Sequence, residues 1–293
     1  MKNLTPTRID VHAHALISKE MAISRADGTV LHDYEQLCKL YDDIGITMGI
    51  IMPIVSPEFQ TFLITSEDAW FMSRNSSNKL SWCCNVDPRM ECVSSKTDFS
   101  RLLQYYKKHG AVGVGEITTN CSLDDPAMDN LLYHCAQCDL PVTIHWATPD
   151  KTGYGVYGGE NLVLLEKTLK KYPKLTIIGH SVPFWEQIYE KNGMRRLEQL
   201  MREFPNLYCD TSANSGYNAA SKNTPYFYEF LDEFQDRVLF GLDVCYVGER
   251  LYEKTIQFYD DAVSKNYISE ETYNKINYLN AVKLYKIQLD EEK

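Results

Sequence analysis

The sequence predicts a parallel (β/α)8 barrel, an α/β TIM-barrel fold with a short helical C-terminal extension. Three observations predict it. Eight short apolar runs rich in Val, Ile and Cys recur along the chain, at 8–14, 47–54, 80–86, 112–117, 142–145, 175–180, 207–211 and 238–243. Stretches with helical spacing of apolar residues fall between them. The length of 293 residues suits one barrel of about 250 residues plus extras. An open doubly wound sheet shares the alternation, and the count of eight with the length decides for closure. No linker, charge run or composition shift marks a second domain, so 1–293 is read as a single barrel domain.

Each apolar run is short enough to be a strand buried on both faces. The first helix is marked by Tyr34, Leu37, Cys38, Leu40 and Tyr41. Leu102, Leu103, Tyr105 and Tyr106 mark another. Leu131, Leu132 and Cys135 follow Pro126, which suits a first helical position with Asp125 as its cap. Leu162, Leu164, Leu165, Leu169 and Tyr172 form a stretch stopped by Pro173. Leu197, Leu200, Met201 and Phe204 form one stopped by Pro205. Residues 226–234 and 251–263 complete the set. From Ser269 onward one or two further helices are expected, ending in a solvated charged cluster at 290–293.

The composition narrows the function. At 44% hydrophobic and 24% charged the chain is neither disordered, collagen-like nor of low complexity. Lys+Arg is 30 against 40 Asp+Glu, a net charge of -10, with a pI near 5.2. That argues against nucleic acid or an anionic membrane as partner, since both reward clustered positive charge. A small-molecule substrate is expected instead, in a monomer or a homo-oligomer. No apolar run reaches the ~20 residues of a membrane helix. Residues 1–8 are polar, without a signal-peptide core. The nine cysteines lack framework spacing, which suits a reducing, cytoplasmic setting. Cys135 and Cys138 form a CxxC, but no second pair or nearby histidine completes a metal knuckle, so both read as helix-face thiols. A chain this long folds without a metal. A metal, where present, therefore serves chemistry.

The chemistry gathers at the ends of the apolar runs, where a barrel of this kind keeps its active site. The first ends Asp10-Val11-His12-Ala13-His14. Side chains alternate along a strand, so His12 and His14 share a face and can converge on one ion. The fourth ends in Glu116, the fifth in His145, the sixth in His180 and the eighth in Asp243. Five of eight strand ends thus carry a metal-capable residue, and four of the seven histidines are among them. Chance would seldom arrange that, although a single strand-end histidine is an ordinary core residue. His32, His109 and His134 fall elsewhere and receive no role.

Asp10–His14, Ile144-His145, Gly179-His180 and Gly241-Leu242-Asp243, in that order, resemble the amidohydrolase superfamily. The likeness is nearest to its amidohydrolase-2 branch, which includes aminocarboxymuconate-semialdehyde decarboxylase. Asn280-Ala281-Val282-Lys283-Leu284-Tyr285 resembles that branch's tail motif, so the resemblance spans 8–285. It implies that His12, His14, His145 and Asp243 hold a divalent metal, zinc first and manganese or iron less specifically. His180 would stand beside the metal-activated water and stabilise an oxyanion or act as acid. Asp243 would take the water's proton and return it to the leaving group. Asp10 would orient a ligand or accept hydrogen bonds at the strand end. Glu116 resembles the strand-four bridging ligand of two-metal members. In that case His145 and His180 would share a second ion, giving one or two ions per chain.

Other features rank lower. Residues 153–158 fit GxGxxG, yet lie too far past His145 for a dinucleotide turn, so they read as a flexible loop in which Tyr154 or Tyr157 could touch substrate. Trp146 and Asp87 are candidates for pocket lining and Asp210-Thr211-Ser212 for binding a polar substrate group, with loop capping the alternative for each. The expected function is hydrolysis of a small-molecule amide, lactone or ester. The alternative is non-oxidative decarboxylation of an unsaturated or aromatic acid. That reaction needs a cation for the carboxylate, and Arg89 and Arg250 are the nearest candidates.

Overall fold

The computed structural model describes residues 7–58, 62–91, 94–148, 153–191 and 193–289. The charged end expected at 290–293 and residues 1–6 of the polar N-terminus lie outside them. Each of the eight apolar runs holds a strand. These are β1 Ile9–Ala13, β2 Met48–Ile51, β3 Leu80–Trp82, β4 Val114–Ile117, β5 Val142–His145, β6 Ile177–His180, β7 Leu207–Asp210 and β8 Val238–Leu239. The longer helices are α1 Tyr34–Ile44, α2 Ser66–Asn75, α3 Ser100–Lys108, α4 Pro126–Gln137, α5 Val163–Lys171, α6 Arg196–Glu203, α7 Ala213–Lys222, α8 Thr224–Glu233 and α9 Leu251–Ser264.

The helix ends follow local chemistry. Asp33 accepts a hydrogen bond from the Gln36 amide while the Gln36 side chain accepts one from the Asp33 amide, a reciprocal cap on α1. Asp125 accepts from the Ala127 amide, with Pro126 opening α4, as its sequence predicts. Helices α2 and α7 were not among the expected stretches. Few of the α2 residues are buried and apolar, and α7 is built of small and polar residues, so neither shows a clear apolar stripe.

The chain divides into two compact units. The first comprises Met1–Ile51, Phe71–Ser81 and Asp210–Lys293. Within it β1 and β2 pair in parallel, with Asp10 opposite Gly49. The Gly49 amide donates to Lys79, the Val11 amide to Phe240 and the Thr211 amide to Leu239. Helix α1 covers this ladder with Leu37 and Tyr41, both fully buried. Gly49 makes the fit: a Cβ there would stand 2.4 Å from the Tyr41 ring. The bare backbone lets the Tyr41 hydroxyl reach Asp10 at 2.6 Å. The C-terminal extension runs helically from Glu270 to Tyr285. Its Asn280 side-chain Nδ2 donates to the carbonyls of Gln235 and Val238 and so pins the entry to β8.

The second unit comprises Met52–Trp70 and Trp82–Cys209. The Val112 amide donates to Trp82 and the Cys84 amide to Gly113. Strands β4 and β5 pair in parallel, then β5 and β6 in a register that sets His145 opposite His180. Ile177 of β6 lies opposite Leu207 of β7. Gly179 allows a close approach here, since a Cβ would stand 2.2 Å from the Phe184 ring. Phe184 in turn stacks on buried Trp146. The Trp146 amide donates to the Ser181 hydroxyl, which donates back to the Trp146 carbonyl, tying the chain just past His145 to that just past His180.

Candidate metal centre

The first unit sets His14 next to both His12 and Asp243. His12 Nδ1 lies 2.9 Å from Asp210 Oδ2, and both side chains are fully buried. An ionised carboxylate can only accept, so Nδ1 carries the hydrogen, and in the neutral ring Nε2 then keeps its lone pair. That Nε2 lies 3.2 Å from His14 Nε2. His14 Nε2 lies 3.6 Å from Asp243 Oδ1. Asp243 sits at a left-handed φ of +53° just past β8, a conformation Asp tolerates better than most residues. Its amide donates to the His12 carbonyl.

Asp10 braces the same strand end. Its Oδ1 accepts the amides of His12 and Leu242, and its Oδ2 accepts the Tyr41 hydroxyl. Burial pushes its pKa up from 3.8 to about 6 against these hydrogen bonds. It acts as the hydrogen-bond acceptor expected of it. Asp210 is held by the Ser212 amide and hydroxyl on its other oxygen. Sequence reasoning gave Asp210 a substrate or loop role and missed its hold on His12. The signal was a carboxylate ending an apolar strand.

The second unit brings Glu116, His145 and His180 together. Glu116 Oε1 lies 2.6 Å from His145 Nδ1 and 3.8 Å from His180 Nε2. The centroids of the two imidazole rings are 5.3 Å apart. The Glu116 carbonyl accepts from the buried Asn85 side chain, which also donates to Pro53. Tyr154 lies against His145 with ring centroids 4.5 Å apart. Its neighbours Val156–Tyr157 pair in parallel with Cys121–Ser122, so the glycine-rich segment is ladder-bound rather than a loose loop.

Both groups suit a divalent cation in donor chemistry. His14, Asp243 and Cys245 each offer a ligand atom within 4.8 Å of the others, and so do Glu116, His145 and His180. Tetrahedral zinc, with bonds near 2.0 Å, sets neighbouring ligand atoms ~3.3 Å apart. In the first unit the His12–His14 separation of 3.2 Å and the His14–Asp243 separation of 3.6 Å bracket that value along those two edges. In the second, the 2.6 Å contact is a short hydrogen bond, so a cation there would spread Glu116 from His145 by several tenths of an ångström.

The remaining candidates resolve in other ways. Arg89 is engaged by Asp87 and by both oxygens of Glu58. Arg250 is exposed and paired with Glu253. Both cations mentioned for a substrate carboxylate therefore already hold carboxylates. His109 packs on Trp70, and His134 faces the Ser100 hydroxyl. His32 is buried. Cys135 and Cys138 are free thiols, and no metal-capable group among the described residues includes them. Burial pushes the thiols of Cys83, Cys84 and Cys135 far up, as fits inert core positions.

The chain belongs to the amidohydrolase family, whose model matches residues 98–287. Among curated proteins, none matches its sequence. Solved structures show the fold. A probable 2-pyrone-4,6-dicarboxylic acid hydrolase from Acinetobacter baumannii is 16% identical, covers 96% of this chain and 99% of its own, and aligns with a TM-score of 0.63. A TIM-barrel protein from Bordetella bronchiseptica is 14% identical over 95% and 98% of the two chains, with a TM-score of 0.62. The 5-carboxyvanillate decarboxylase of Sphingomonas paucimobilis is 14% identical over 96% and 99%, with a TM-score of 0.61. The fold is thus an α/β TIM barrel, as the sequence predicts. No helix among the described residues is long and apolar enough to cross a membrane.

Proposed function

We propose that this chain is a metal-dependent hydrolase of a small-molecule amide, lactone or ester, working as one barrel domain over 1–293. The observation that carries it is the convergence of His12 Nε2 and His14 Nε2 at 3.2 Å with His12 Nδ1 committed to Asp210. A gap of that size between two imidazole nitrogens suits one shared proton or one shared cation. Family membership and the neighbouring carboxylate Asp243 favour the cation.

His12, His14 and Asp243 would hold one ion, and Glu116, His145 and His180 a second. Zinc suits the histidine-rich donor set best, with manganese or iron as weaker fits. When bound, a divalent ion supplies Lewis acidity that polarises the scissile carbonyl and makes water a better nucleophile at neutral pH. Asp243 accepts the proton of the attacking water and later delivers it to the leaving group. His180 donates a hydrogen bond to the developing oxyanion or serves as the acid. Asp210 and Asp10 hold β1 so that His12 keeps one tautomer and one direction. The free cysteines support a reducing, cytoplasmic setting.

The test is elemental analysis of the purified protein, followed by a substrate screen on the zinc-reconstituted form. Bound metal with turnover of amides, lactones or esters supports the reading. Release of CO2 from unsaturated or aromatic acids, with no hydrolysis, would replace it with the decarboxylase reading. A protein that takes up no metal would defeat both.

A further inference from the structure

Cys245 lies two residues past Asp243, and the hydrolase reading above gives it no role. Its Sγ lies 3.2 Å from Asp243 Oδ1, the same oxygen that lies 3.6 Å from His14 Nε2. The three donor atoms all fall within 4.8 Å of one another. The thiol is carried on a braced turn. The Cys245 amide donates to Glu249 Oε2, and so does the Tyr246 amide. The Cys245 carbonyl accepts from the His32 amide. Leu31 and Tyr246 form a further bridge beside it. The sulfur is therefore presented to His14 and Asp243 by backbone fixed on both sides.

We propose that Cys245 supplies a sulfur donor to the cation held by His14 and Asp243, making that site one of nitrogen, oxygen and sulfur donors. This rests on the metal-dependent reading above. Zinc–sulfur bonds of ~2.3 Å beside zinc–oxygen bonds of ~2.0 Å set sulfur and oxygen ~3.5 Å apart. The present separation of Cys245 Sγ from Asp243 Oδ1, 3.2 Å, is a few tenths of an ångström short of that. On binding, the thiol proton leaves to solvent and the thiolate lone pair forms the metal–sulfur bond, with no change of oxidation state. The hydrogen bond from Sγ to Asp243 is exchanged for a shared ion. A soft donor also selects: thiolate favours zinc or cobalt(II) over manganese or magnesium.

Cobalt(II) tests this directly, because a cobalt–thiolate bond adds a near-ultraviolet charge-transfer band that nitrogen and oxygen ligands do not give. The protein is loaded with cobalt and its spectrum recorded with the metal content. The band is expected in the parent and in Cys38→Ser, and is expected to vanish in Cys245→Ser while the visible cobalt bands persist. Cys245→Ala, with its fold checked by circular dichroism, should behave as Cys245→Ser does. Bound cobalt without the band in the parent, or a band that survives both Cys245 variants, overturns the sulfur ligand and leaves the metal reading intact. A parent that binds no cobalt or zinc fails at the earlier step and removes both.

Discussion

His12 and Asp210 form a fully buried pair, Nδ1 to Oδ2 at 2.9 Å, that joins the end of β1 to the end of β7. The carboxylate fixes which imidazole nitrogen carries hydrogen and thereby which one faces His14. Partners of this kind typically contribute about 10–100-fold to metal affinity. Asp210→Asn keeps the shape but can present an amide N–H to Nδ1, which favours the other tautomer. We expect zinc affinity, measured by chelator competition, to fall by about that factor with the far-ultraviolet spectrum unchanged. Unaltered affinity would reduce Asp210 to a packing and Ser212-binding role.

The two ligand groups make separable predictions about stoichiometry. His14→Ala removes the nitrogen shared by the contacts to His12 and Asp243. His145→Ala removes the partner of Glu116. Each variant is expected to lose one ion per chain by elemental analysis while the barrel stays folded, because the core does not depend on the ions. A double variant should lose both. If either single variant empties the protein of metal, the two-ion assignment gives way to one ion.

Arg89 is a clamp rather than a substrate receptor. Burial pushes the Asp87 carboxyl up, but the Arg89 hydrogen bonds outweigh it and leave Asp87 below the usual carboxylate range. Glu58 is held down in the same way. A carboxyl with a depressed folded pKa stabilises above its unfolded pKa, and that stability is lost as pH falls through the folded value. Arg89→Ala should therefore cost about 1 kcal/mol or less at neutral pH, given its exposure. The gap in melting temperature from the parent should close as pH drops below the ordinary carboxylate range. KM for a carboxylate substrate should not move; a large rise would return Arg89 to the binding site and strengthen the decarboxylase reading.

The strand order and the strand-end residues were legible because period and position carry them. A run such as 142–145 is short, apolar and ends in His, and it forms β5 without a shift of boundary. The run at 238–243 does not, since the ladder stops at Leu239 and the chain turns left-handed at Asp243. Hydropathy cannot see that turn. Helix α7 was hidden because its small residues give no apolar stripe. The service of Asp210 to His12 was hidden for a different reason. Strand-end residues can be counted from sequence, but which side chain faces which across neighbouring strands is set by register and tilt. Cys245 gave no signal, because a half-buried thiol after an aspartate reads as one cysteine among nine.

The last prediction concerns Asp243. Its Oδ1 is shared between His14 Nε2 at 3.6 Å and Cys245 Sγ at 3.2 Å, and its side chain keeps some contact with solvent. A carboxylate in that position can bind a cation through one oxygen and leave the other to exchange a proton with water. Asp243→Asn preserves size and one ligating oxygen but can no longer accept that proton. Metal content should fall only partly. Turnover should fall by about a hundred- to ten-thousand-fold, the usual contribution of a general acid–base group. The loss should appear in kcat rather than KM, because the proton moves only in the chemical step. A metallated Asn variant with parent kcat would leave Asp243 as a ligand alone. The proton transfer would then pass to His180 or Glu116, and kcat measured on metallated His180→Asn and Glu116→Gln would decide between them.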